Sequence, residues 1–167
     1  MKRILTIIVL IAFSLGVQAQ GTDLSTLLTY KDGRAHFSEV VQVSNATSDN
    51  LYKNALTWIN GTFNNPQNVI QTNNRELGLL VIKAAVGEPS MAMTHFTFEI
   101  QIKDGRYKYD ISNIVIKYGK YLAGTPDKSY EEYIETSGYG WKKGVNSDFG
   151  DLVKSLKSKM EDVEEDW

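Results

Sequence analysis

Residues 93–118 read MTHFTFEIQIKDGRYKYDISNIVIKY, two long alternating runs joined by Asp104-Gly105. An Asp-Gly pair suits a tight hairpin turn, whose central positions call for positive φ. In the first run Phe96, Phe98, Ile100 and Ile102 share one face, and His95, Thr97, Glu99, Gln101 and Lys103 share the other. A period of two that separates apolar from polar residues predicts an antiparallel hairpin with one buried and one hydrated face. The second run changes phase. Tyr107, Tyr109 and Ile111 alternate, then Ile114, Ile116 and Tyr118 alternate one step out of register. One extra residue restores the facing, so a β-bulge is predicted near Ser112-Asn113.

The 167 residues, 42% hydrophobic and 23% charged, are enough for one domain with a substantial core. There is no cysteine, which excludes disulfides, thiol catalysis and thiolate metal sites. The first residues point to export. Lys2 and Arg3 precede an apolar run from Ile4 to Phe13, and Val17 and Ala19 sit at −3 and −1 of a cleavage site. The run is short for a membrane span, and without cysteine no lipoprotein anchor can form. Residues 1–19 are therefore read as a cleavable signal peptide, leaving no membrane span and a periplasmic or secreted chain. Losing Lys2 and Arg3 takes the net charge from −2 to −4.

Outward from the hairpin, residues 20–36 form a lead-in that allows a small extra hairpin at 28–36. Phe37 to Val43 is a first strand. Ser48-Asp49 starts a helix by capping and by its charge at the positive end of the helix dipole. Leu51, Ala55, Trp58 and Ile59 give that helix its apolar face, Lys53, Asn54 and Asn60 its exposed one, and Gly61 its stop. A strand around Asn68 to Thr72 turns at Asn73-Asn74 into Leu77–Val86, whose nearly continuous apolar run predicts burial on more than one side. Beyond the hairpin, 119–147 is long for a connection. Ser129 and Glu132 have capping-box spacing ahead of a short helix, and Gly138 to Gly144 reads as an aromatic loop. Asp148 caps a last helix with Phe149, Leu152, Leu156, Met160 and Val163 on one stripe. Its acidic end, Glu161 to Asp166, is set to fray. The class is α+β: a two-layer domain, β-α-β-β-β-β-α, over residues 37–167, an antiparallel sheet with helices on one face.

At Val40-Val-Gln-Val43, Leu51-Tyr52, Trp58, Val69-Ile-Gln71, Gly78 and Phe98-Glu-Ile-Gln-Ile-Lys-Asp-Gly-Arg-Tyr107, the chain resembles a family of secreted bacterial proteins. The family is described as a domain of unknown function with a TBP-like fold. The resemblance covers 37–118 and, more loosely, the last helix; it does not reach the 119–147 insertion. It implies an exported protein of Gram-negative bacteria and carries no catalytic residues over. The fold's name invites a nucleic-acid reading, but the outward row from His95 to Lys103 is close to neutral, whereas a minor-groove saddle needs a basic face with apolar wedges. No nucleic-acid partner is expected.

No catalytic motif is present: no HExxH, no GxSxG, no phosphate-cradling glycine loop. No catalytic residue, cofactor or metal is expected. Asp104 is accounted for by the turn, and Glu131, Glu132 and Glu135 by capping and solvation. His95, Thr97 and Glu99 are the candidate contact residues of the hydrated strand face. The other candidates are aromatic, Tyr121, Tyr139 and Trp141, in an insertion that also holds Tyr130 and Tyr133 and follows directly on Tyr118. Exposed aromatic side chains anchor proteins or sugars at low entropic cost; the competing reading folds most of them back over the sheet edge. The leading expectation is a non-enzymatic binding module of the cell envelope, its partner an envelope protein or glycan. The alternative is a small envelope hydrolase or enzyme inhibitor acting through the aromatic insertion 119–147.

Overall fold

The computed structural model describes residues 24, 27–136 and 139–162, with side chains from 143 onward in the last segment. The expected signal peptide at 1–19, Val163 and most of the acidic end lie outside the described residues. The strands are β1 (Leu28–Lys31), β2 (Arg34–Gln42), β3 (Ile70–Asn74), β4 (Leu79–Glu88), β5 (Ala92–Lys103), β6 (Arg106–Tyr118) and β7 (Lys128–Ser129). They make one antiparallel sheet in the order β1-β2-β6-β5-β4-β3, with β7 on β6 beyond the end of β2. The helices are α1 (Ser48–Thr62), α2 (Pro66–Val69), α3 (Tyr130–Thr136) and α4 (Tyr139–Met160). This is the expected two-layer α+β arrangement, with the lead-in hairpin β1-β2 and the short β7 added to it. No helix among the described residues is long and apolar enough to cross a membrane.

The hairpin 93–118 is the centre of the sheet. Phe96, Phe98, Ile100 and Ile102 are buried beside Tyr107, Tyr109, Ile111, Ile114 and Ile116. The register slips by one between His95↔Val115 and Thr97↔Ser112, and Asn113 sits there at φ +51°. The bulge is where the phase change placed it. Asparagine tolerates this left-handed conformation better than most residues. Across the turn, the Asp104 carboxylate accepts from the Ser48 backbone N–H at 2.7 Å, which ties the hairpin to the start of α1. This contact, made with an amide the helix itself leaves free, holds the Asp104 carboxyl below its usual value.

Several local expectations are corrected. Thr47, not Ser48, caps α1: its hydroxyl accepts from Asn50 N–H, and the helix runs past Gly61 to Thr62. Asn54 is buried rather than exposed, because its amide donates to the Asp162 carbonyl at 2.9 Å and joins the ends of α1 and α4. Residues 66–69 form α2, so the second strand begins only at Ile70. In β4 only Leu80, Ile82 and Ala84 are buried; Leu79, Val81 and Ala85 are half-exposed on the other face, so this strand is covered on one side. Asp148 does not cap α4. That helix starts nine residues earlier, at Tyr139, and takes in the stretch read as an aromatic loop.

The core lies between the sheet and the helices. Phe149 of α4 packs edge-on against Phe37 and Phe96, with centroids 5.7 and 5.1 Å away, and Trp58 of α1 meets Phe98 at 5.4 Å. Trp58 Nε1–H donates to Ser155 Oγ at 2.9 Å, so the two long helices are joined by a buried polar contact as well. The capping box forms as spaced: Glu132 N–H donates to Ser129 Oγ, and Ser129 N–H to the Glu132 carboxylate. It sets α3 so that Tyr130 and Tyr133 point inward.

Candidate functional site

All three longer helices and α2 leave one face of the sheet bare, and strand pairing fixes what that face presents. Outward residues line up in rows across the strands: Gln42–Arg106–Lys103, then Val40–Lys108–Gln101–Leu79, then Ser38–Asp110–Glu99–Val81. Lys83 lies opposite Thr97 on the same face, and Lys117 opposite Met93. The cations Lys83, Lys103, Arg106, Lys108 and Lys117 are all exposed. Against them stand two carboxylates, Glu99 and Asp110, and both are engaged. Glu99 accepts from the Gln101 amide at 2.5 Å, and Asp110 meets His36 Nδ1 at 2.8 Å.

The result is a strip of uncompensated positive charge beside the Asp104-Gly105 turn. Lys103 faces Arg106 directly in the register, and like charges placed opposite one another destabilise a sheet. The nearest other carboxylates are committed elsewhere. Asp104 is turned to α1, and Glu39, on the buried side of β2, accepts from Tyr109 OH at 2.7 Å and pairs with Lys157 at 2.6 Å. Lys103, Arg106 and Lys108 have no ion pair among the described residues. With Val40 and Gln101 they line a shallow depression of about 200 Å³, floored in part by the Val40 side chain, which is 53% exposed.

Of the residues singled out in the sequence, His95, Thr97 and Glu99 do share this face, half-buried on β5. Burial holds the His95 imidazole below its usual value, Lys117 adds to the effect and Asp127 opposes it. Thr97 Oγ1 accepts from the Asn113 side chain at 3.4 Å, so it serves the bulge. Two of the insertion's aromatic residues fold back onto the core, as the competing reading has it. Tyr130 and Tyr133 are each 2% exposed, and Tyr130 packs on Phe37 at 5.6 Å and donates to Asn146. Burial is the main cause raising the Tyr130 hydroxyl pKa to about 12. Tyr118 is half-buried. Tyr121 is 68% exposed, on a 3₁₀ turn (Lys120–Leu122) at the far end of the hairpin, with Lys120 Nζ 5.2 Å from its ring centre. Tyr139 and Trp141 fall in the first turn of α4, and their side chains lie outside the described residues. The basic strip is not legible in the first run, whose outward row is close to neutral. The signal is in the second run, where Arg106 and Lys108 alternate with Tyr107 and Tyr109.

Residues 37–117 match the family model described as a domain of unknown function (DUF4468) with TBP-like fold. Two solved structures share the fold. A TBP-like protein from Parabacteroides distasonis aligns with a TM-score of 0.69 at 15% identity, covering 81% of this chain and 98% of its own. A DUF4468 family protein from Bacteroides ovatus aligns with a TM-score of 0.60 at 13% identity, covering 84% and 94%. No protein of curated function matches the chain.

Proposed function

We propose that this chain, whose residues 37–117 are a TBP-like domain of unknown function, is an exported, non-enzymatic binding module that presents the bare face of its sheet to an acidic protein of the bacterial envelope. The observation carrying this reading is the strip of Lys103, Arg106 and Lys108, exposed and without an ion pair among the described residues, in a chain whose own net charge is −2. Surfaces that concentrate one sign of charge against the overall balance steer partners of the opposite sign and fix their register. The rows named above carry Val40, Leu79 and Val81 between the charges but no aromatic ring. Sugars are commonly held by stacking on such rings, so a flat, partly apolar protein surface suits this face better than a glycan. The leader at 1–19 supports placement in the periplasm or outside the cell.

The test is retention of acidic envelope proteins on the immobilised chain, compared with a Lys103→Glu/Arg106→Glu/Lys108→Glu variant. Binding is expected to weaken at least tenfold in the variant and to fall with added salt in the parent, as exposed charge contacts do. Equal retention by parent and variant, unaffected by salt, would overturn the reading.

A further inference from the structure

On the opposite side of the sheet, where α3 and α4 meet the β4-β5 turn, lies a cleft of about 330 Å³. Its walls are apolar: Met91, Ala92, Ile116 and Val145, with the backbones of Gly87 and Gly144. That volume falls at the lower end of small-molecule sites and has room for roughly ten water-sized groups. Tyr133 of α3 lines it too, and two further polar side chains, Thr94 and Asp148, converge on it. Thr94 is 5% exposed, inward-facing between Val86 and Ile116, and its hydroxyl has no hydrogen-bond partner among the described residues. Asp148 comes from α4 one turn after Gly144, so the two share a helix face, and its carboxyl likewise has neither hydrogen bond nor ion pair there.

A carboxylate partly removed from water beside apolar walls is destabilised unless a cation meets it. Burial, then the neighbouring Asp151, raises the Asp148 carboxyl above its ordinary range. Among the described residues the only other charge lining the cleft is Glu88, at its rim, and its carboxylate is already held by Ser90 N–H and Oγ–H. The described charges lining the cleft are therefore negative. An anionic ligand is disfavoured, and a cationic head group suits Asp148.

We propose that this cleft is a binding site for a small apolar amine, with its alkyl body against Met91, Ala92, Ile116 and Val145 and its ammonium group at Asp148. Thr94 contributes a hydroxyl to the same head group or to a second polar atom of the ligand. The site is separate from the basic strip, which lies on the other face of the sheet, and charge reversal there leaves it intact.

The test uses the full chain with octylamine, octanol and octanoate as probes, read by titration calorimetry and thermal shift. Octylamine is expected to bind saturably and at least tenfold tighter than octanoate. Asp148→Asn, nearly isosteric, is expected to weaken octylamine about tenfold, the size of one charge-assisted hydrogen bond, and to leave octanol unchanged. A second variant fills the cleft. A side chain at Gly144 starts in open space, so Gly144→Leu is expected to keep the fold by circular dichroism and abolish binding of all three probes. Octylamine binding no tighter than octanoate, or octylamine binding that survives Gly144→Leu, would overturn the proposal. Failure of Asp148→Asn to fold would leave the Gly144→Leu comparison to decide it.

Discussion

Asp148 sits among apolar walls with its carboxyl held above the ordinary aspartate value of 3.8. A carboxyl whose native pKa exceeds its unfolded one favours the native state when protonated. Its contribution is thus fully present below the unfolded pKa and is lost as pH rises through the native one. Asp148→Asn should accordingly raise the melting temperature at pH 7, and the gain should shrink as the pH is lowered through and below the carboxylate range. Solvent screening of this partly exposed group keeps the gain to a fraction of about 1 kcal/mol, and Asn and Asp differ little in helix propensity. Tyr107 raises a related question. It is 1% exposed and its hydroxyl has no partner among the described residues. Burial, then Glu39 and Glu161, pushes its pKa up. Tyr107→Phe removes an unmet donor without changing shape, so denaturant unfolding should show equal or greater stability, by up to about 1 kcal/mol. A loss beyond that would mean the hydroxyl is satisfied in solution. Neither residue announced itself in the sequence, since Asp148 reads as a cap and Tyr107 as one more core aromatic. What distinguishes both is the missing partner, a property of the packed chain.

At the level of elements, the hairpin was legible because three independent signals agree: alternation, an Asp-Gly turn and a phase change. The bulge has a sharp consequence. Asn113 is the extra residue, so deleting it gives strict alternation and keeps Ile114 and Ile116, 4% and 1% exposed, on the core face. The deletion is therefore expected to retain cooperative thermal unfolding. Asn113→Gly suits the +51° φ and should leave the melting temperature within a few degrees. Loss of cooperative unfolding in the deletion alone would mean that Asn113 is not the residue that shifts the facing. The capping box was equally legible, since Ser129 and Glu132 interact through local geometry alone. The first turns of α4 were not. Three glycines within Gly138–Gly144 argue for a loop on propensity, yet the chain is helical from Tyr139 on, with Val145 packed into the core. Asn54 was misplaced for a similar reason: a polar residue on a helix reads as exposed unless its distant partner, the Asp162 carbonyl, is known.

For the whole molecule, the two-layer plan follows from having amphipathic helices and only one apolar face to cover, and that much could be read directly. The charge of the bare face could not, because it depends on which strands lie side by side. β2 and β6 bring Gln42 beside Arg106 and Val40 beside Lys108, and the resulting strip is basic although the row from His95 to Lys103 alone is nearly neutral. The aromatic insertion went the other way: Tyr130 and Tyr133 serve the core, and Tyr121 is its exposed aromatic among the described side chains. The contact surface is expected on the sheet, where the unpaired charge of the described residues is concentrated. The most direct measurement is site-specific photo-crosslinking in the envelope of the native host, with the probe placed at Gln101 on the bare face or at Thr57 on the outer side of α1. Both positions are exposed, so accessibility is matched. Adducts to a discrete partner from Gln101, absent from Thr57 and lost on Lys103→Glu/Arg106→Glu/Lys108→Glu, are the expected result. Adducts of equal yield from both positions, or from Thr57 alone, would contradict the account.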